Sequence, residues 1–132
     1  MARVTKQAQT MIEQAIYLPM VLKILKRDLQ IIETSELKLK RPYQDLIKDV
    51  FKKVERDLVA VLTYLQHEEI TVNEVKRDET FTMYRFTYKG QEERHNYFNP
   101  RLKKQTENLL TYYFFQKNPY SVSPSADSSP AQ

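Results

Sequence analysis

Few residues in this chain have the type and spacing to do chemistry. Glu92-Glu93-Arg94-His95 holds one Glu-x-x-His. On a helix that spacing puts carboxylate and imidazole on one face, as in di-iron bundles, which need two such motifs and two further glutamates. One motif is present, in a segment that reads as strand or turn, so a solvated charged turn is the expectation. His67-Glu68-Glu69 lacks the second histidine of a zinc-protease motif. It falls at a helix end, where histidine interacts favourably with the C-terminal dipole. His67 and His95 are the only histidines, and there is no cysteine. Disulfides, thiolate nucleophiles, Cys-type zinc sites and iron–sulfur clusters are therefore excluded. A single glycine, Gly90, leaves no Gly-rich phosphate loop or dinucleotide fingerprint. The serines cluster near the C-terminus, where no scaffold holds them against a base. No catalytic residue, metal site or cofactor is expected, and the chain reads as a non-enzyme.

Binding chemistry is better represented. Lys38, Lys40 and Arg41 stand together, as do Arg101, Lys103 and Lys104, with Lys48, Lys52 and Arg56 on one helix face. The first two groups are candidate phosphate contacts, chiefly the second, where a helix N-terminus also points backbone donors outward. The excess of 21 basic over 17 acidic residues is mild. It suits weak attraction to phosphate or acidic surfaces, and equally plain solubility. Interleaving such as Asp45/Lys48/Asp49/Lys52 reads as surface pairing worth a few tenths of a kcal/mol each. Nine tyrosines and six phenylalanines are the other resource. Tyr112-Tyr113-Phe114-Phe115 is too apolar for one buried stripe. Either its second face covers the sheet, or Tyr112 and Phe115 form a partner surface, a role tyrosine suits by joining apolar area to a polar tip.

The elements that carry these residues follow from periodicity. Thr5 to Glu33 reads as an amphipathic helix with Leu18, Val21, Leu22, Leu25, Leu29 and Ile32 on one stripe. Pro19 inside it predicts a kink or break, with the firm helix starting near Leu18. Thr34 to Arg41 is a connector in which Leu37 and Leu39 alternate with lysines. Pro42 opens a second helix, running to His67, about 37 Å long. Its stripe is Ile47, Val50, Val54, Leu58, Val61 and Leu65, widened by Leu46, Phe51 and Leu62. The short connector predicts antiparallel packing. Ile70 to Val75 and Phe81 to Tyr88 read as strands with a turn over Lys76 to Glu79. Gly90 supplies a positive φ at the next turn, and Glu92 to Phe98 returns as a third strand. Asn99-Pro100 is an N-cap followed by proline at the first helical position. The last helix then runs to near Lys117, with Leu102, Thr106, Leu109, Leu110, Tyr113 and Phe114 on one face. The expected fold is α+β, mainly α: a long antiparallel helical hairpin, a small antiparallel β-meander and a C-terminal helix. It forms one domain over residues 1–117, followed by a disordered Ser/Pro-rich tail at 118–132.

Ile16-Tyr17-Leu18-Pro19-Met20-Val21-Leu22, Lys38-Leu39-Lys40-Arg41-Pro42-Tyr43 and Tyr97-Phe98-Asn99-Pro100-Arg101-Leu102 carry a resemblance. With them the chain resembles the YhjD-like group of small uncharacterised cytoplasmic proteins of Bacillus and relatives, over most of residues 10–115. The resemblance implies a source and a location and carries no activity. The apolar run Ala15 to Leu22 lacks a cleavage site and is far short of the roughly twenty residues that span a bilayer. A cytoplasmic location and no membrane partner are therefore expected. The expected function is non-catalytic: binding an unknown protein partner, or self-association as a homo-oligomer. The alternative is a nucleic-acid-binding regulator that uses the connector and last-helix cations. A third reading is small-molecule binding on the aromatic sheet face. A winged-helix comparison fails, because the helix before the hairpin is too long and a preceding helix is missing.

Overall fold

A computed structural model describes residues 5–115. The element order is α1 (Lys6–Glu33), α2 (Arg41–His67), β1 (Ile70–Arg77), β2 (Phe81–Tyr88), β3 (Gln91–Phe98) and α3 (Asn99–Phe115). The fold is α+β, mainly α, with the helical hairpin, β-meander and last helix that periodicity predicts. The expected tail at 118–132 and the helix end near Lys117 lie outside the described residues. Among the described residues, no helix is long and apolar enough to cross a membrane.

α1 opens on Thr5, whose Oγ1 accepts from the Ala8 amide at 3.0 Å. The helix runs unbroken through Pro19, against the expectation of a separate segment before Leu18. The reason is burial on both sides of the proline. Leu18 and Val21 are fully buried and Ile16 nearly so, while Pro19 faces solvent. Each such side chain contributes roughly 1.5–3 kcal/mol, against roughly 3 kcal/mol for an interior proline. Ile16, Tyr17 and Leu18 are buried consecutively, because α1 packs against α2, α3 and β1 at once.

The turn from α1 to α2 is tied by side chains. Ser35 Oγ donates to the Ile32 carbonyl at 2.7 Å and accepts from the Leu37 amide at 3.3 Å. The Gln44 amide donates to Glu33 Oε1 at 2.7 Å. α2 buries Ile47, Val50, Val54, Val61 and Leu65, with Leu58 and Phe51 half-buried. Leu46 and Leu62 do not widen the buried stripe: each is 50% exposed.

The sheet has the order β1-β2-β3, all antiparallel. β1 extends through Lys76 and Arg77, which pair with Met83 and Thr82 after a bulge at Val75, so these two belong to the strand and not to the turn. The turn is narrower and is built on Asp78, whose Oδ1 accepts from the amides of Thr80 and Phe81, both at 2.7 Å. Those two bonds hold its carboxyl below the usual carboxylate value. Lys89 and Gly90 both take positive φ at the β2–β3 turn, as a tight hairpin with native twist requires.

Asn99 is the first residue of α3 and not a cap on it. Its side chain is spent on the sheet: Nδ2 donates to the Asp78 carbonyl at 2.9 Å, and Oδ1 accepts from the Thr82 hydroxyl at 2.7 Å. This locks the start of α3 to the β1–β2 turn. Leu102, Thr106, Leu109 and Tyr113 then dock on the core, with Leu110 and Phe114 half-buried.

Candidate functional site

α3 covers only part of the hairpin. Its first turns share a groove of about 380 Å³ with Met20, Lys23 and Ile24 of α1. Ile31 lies two helical turns beyond Ile24, on the same side of α1 but past the start of α3. On α2, Asp57 faces α3, because it accepts from the Tyr113 hydroxyl. Leu46 precedes Asp57 by eleven residues, three turns, and so projects from that same side. The Gln44–Glu33 bond sets the ends of the two helices level. Ile31, Tyr43 and Leu46 therefore continue the seam that α3 fills higher up. Ile31 is 53% exposed and Leu39, in the connector, 75%. Five of the twelve exposed large hydrophobics among the described residues, Ile31, Leu37, Leu39, Tyr43 and Leu46, lie at this end of the hairpin and its connector. Over residues 31–46 the charge is balanced: Glu33, Glu36 and Asp45 oppose Lys38, Lys40 and Arg41.

The six sequence-predicted phosphate contacts do not meet in one place. Lys38 and Arg41 are exposed at the hairpin tip. Lys40 is half-buried, and its ammonium donates to the Glu33 carbonyl at 2.8 Å, where a cation complements the end of α1. Arg101, Lys103 and Lys104 are exposed on α3. The two groups are separated by roughly 15 Å, the rise of the ten α1 residues between Lys23 and Glu33. Lys103 joins Lys23 and Arg77 around the 380 Å³ groove. Sequence reasoning missed Lys23 and Arg77: the first lies off the apolar stripe of α1 and the second falls in the segment that reads as a turn. Arg77 also pairs with Glu74 at 3.1 Å.

The two aromatic candidates separate as well. Phe115 is 69% exposed. Tyr112 is half-buried with its ring edge-on to Tyr113, centroids 5.1 Å apart. It lines a cavity of about 440 Å³ between the three helices, with Glu13, Gln14, Tyr17, Asp57 and Tyr113. The Tyr113 hydroxyl donates to Asp57 Oδ2 at 2.5 Å. Burial and then this bond hold its phenol far above the usual value. A smaller cavity of about 200 Å³ lies between α1 and the sheet, against Phe86, Tyr88 and Tyr97. Glu13 lines both cavities. Burial, then the Glu13 charge, raises the Tyr97 phenol.

Strand alternation separates Glu92 from His95. Glu92 pairs with Arg94 at 2.9 Å. His95 bonds Glu93 at 2.8 Å and stacks on Phe86 at 4.9 Å between centroids. At the end of α2, His67 Nδ1 lies 3.3 Å from Glu68. Among the described residues, no three His, Cys, Asp or Glu side chains gather as a metal would need.

The YhjD protein family matches residues 3–118. The uncharacterized protein YhjD of Bacillus subtilis (strain 168) is 45% identical over 115 residues, which are 87% of this chain and 96% of that relative. No solved structure matches. With a match that runs almost end to end in both chains, the protein belongs to the YhjD family.

Proposed function

We propose that this is a non-catalytic cytoplasmic protein that self-associates, two copies packing through the distal half of the helical hairpin. The observation that carries the reading is the uncovered seam: Ile31, Tyr43 and Leu46 stand half-exposed beyond the start of α3, with Leu39 beside them. A second copy suits this surface better than a nucleic acid or an anionic membrane. Within residues 31–46 the charges cancel, three against three, so the seam itself adds no net charge between the two copies. Two such hairpin halves, packed side by side, complete a four-helix arrangement that each copy lacks. The patch is the same on both copies, as a two-fold interface requires.

Sedimentation equilibrium tests the reading. The wild-type chain should show a monomer–dimer equilibrium at concentrations of about 10–100 μM. Ile31→Glu and Leu46→Glu, both at exposed positions, should give monomers with unchanged helicity. A wild-type chain that stays monomeric at about 1 mM would rule the reading out.

A second reading, a nucleic-acid-binding regulator, is favoured by one observation: Lys23, Arg77 and Lys103 converge on one groove at the start of α3. It predicts affinity that falls steeply with salt, with a log–log slope of about −3 for three phosphate contacts. Lys103→Glu should then flatten that slope. Binding no tighter than about 100 μM at physiological salt, the non-specific range, removes it.

A further inference from the structure

The cavity between the three helices has a character opposite to that of the chain as a whole. The protein carries +4 overall, yet the charged side chains that line this cavity among the described residues are two carboxylates, Glu13 and Asp57. Three phenol rings, Tyr17, Tyr112 and Tyr113, form much of the remaining wall. Its volume of about 440 Å³ lies within the range of small-molecule sites. We infer that this cavity binds an organic cation, an alkyl diamine or polyamine, with its ammonium groups on Glu13 and Asp57 and its methylene chain against the tyrosine rings.

Three features select that class. An ammonium ion gains from carboxylates through charge-assisted hydrogen bonds and from aromatic faces through their quadrupole, and the cavity offers both. Two carboxylates on different helices, α1 and α2, match two positive centres joined by a spacer. A transition-metal ion fits poorly, because no third His, Cys, Asp or Glu side chain joins the pair among the described residues. An anion is repelled by the same two charges. Tyr113 serves as a fixed wall, since its hydroxyl already donates to Asp57. That bond leaves further lone pairs on the Asp57 carboxylate for a ligand. The site is distinct from the hairpin seam, so either proposal can fail alone.

Titration of the full chain with spermidine tests this directly. The chain has no tryptophan to mask tyrosine emission, and three of its nine tyrosines line the cavity, so a change in that emission reports binding, and calorimetry supplies an independent Kd. Spermidine should bind with a Kd below about 1 mM at low salt. Glu13→Gln and Asp57→Asn keep shape and hydrogen-bonding capacity and remove one charge each. Each should weaken binding about tenfold, and the pair more. Tyr112→Leu keeps an apolar wall and should weaken binding several-fold, with the melting temperature and oligomeric state unchanged. Magnesium chloride at equal ionic strength should not displace the ligand. Binding weaker than about 10 mM, equal affinity in all three variants, or full displacement by magnesium would each overturn the assignment.

Discussion

Replacing Pro19 by alanine should make this protein more stable. Pro19 sits in the middle of α1 and faces solvent, between the fully buried Leu18 and Val21. Its ring therefore contributes little burial that the substitution would lose. Its missing N–H leaves the Ala15 carbonyl without its helical donor, and its ring crowds that same carbonyl. In peptides the helix-interior penalty of proline relative to alanine is about 3 kcal/mol. A helix already adapted to the ring recovers part of that, about 1–2 kcal/mol once the stiffer unfolded chain of the proline form is counted. For a domain of this size that is a rise in Tm of roughly 5–10 °C. Thermal unfolding followed by far-ultraviolet circular dichroism reads it. A fall in Tm would refute the reasoning. It would mean that packing on either side of residue 19 depends on a bend the proline imposes, so that straightening α1 strains its contacts with α2 and α3.

Other expectations test the core, the turn and the phenols. Val54→Asp should unfold the protein or come close, since an unpaired charge at a fully buried position costs several kcal/mol. Lys53→Glu, which loses only the exposed pair with Asp49, should shift chemical denaturation by under about 1 kcal/mol. Asp78→Ala should lower Tm by several degrees, because the β1–β2 turn loses the side-chain oxygen that accepts from two amides, while Asp78→Asn should restore most of the loss. The Asp78 carboxyl is held below its unfolded value of 3.8, so its contribution is present above that pH and drains as pH falls beneath it. The phenols of Tyr84, Tyr97 and Tyr113 are raised above the ordinary 10.0, each first by burial. Their contribution is complete below pH 10.0 and is lost as pH rises past it. Phenolate absorbance should therefore show three tyrosines ionising only as the protein unfolds in alkali, and nine ionising together in the native state would contradict this.

Much of the fold is legible in local pattern. The three–four spacing from Ile47 to Leu65 marks the buried side of α2, and the alternation of Tyr84, Phe86 and Tyr88 with Arg85 and Thr87 gives the limits of β2. The misses are tertiary. Pro19 reads as a break because propensity ignores the burial of Ile16, Leu18 and Val21 around it. Lys76 and Arg77 read as turn because they are polar, yet backbone pairing to β2 needs no apolar side chain. Leu46 and Leu62 read as core because a helical stripe does not tell how much of it a neighbour covers. Tyr112 looks like surface because nothing near it in sequence brings Glu13 and Asp57 alongside. The chemistry of that cavity comes from three helices and is written in none of them alone.

The proposed self-association is tested most directly by a dilution series of the ¹⁵N-labelled wild-type chain, read by NMR amide shifts. Packing through the distal half of the hairpin predicts that the amides of Ile31, Leu39, Tyr43 and Leu46 move together along one dimer isotherm, while those of Tyr112 and Phe115 stay fixed. Spectra unchanged over the whole dilution, or shifts confined to the end of α3, would contradict it.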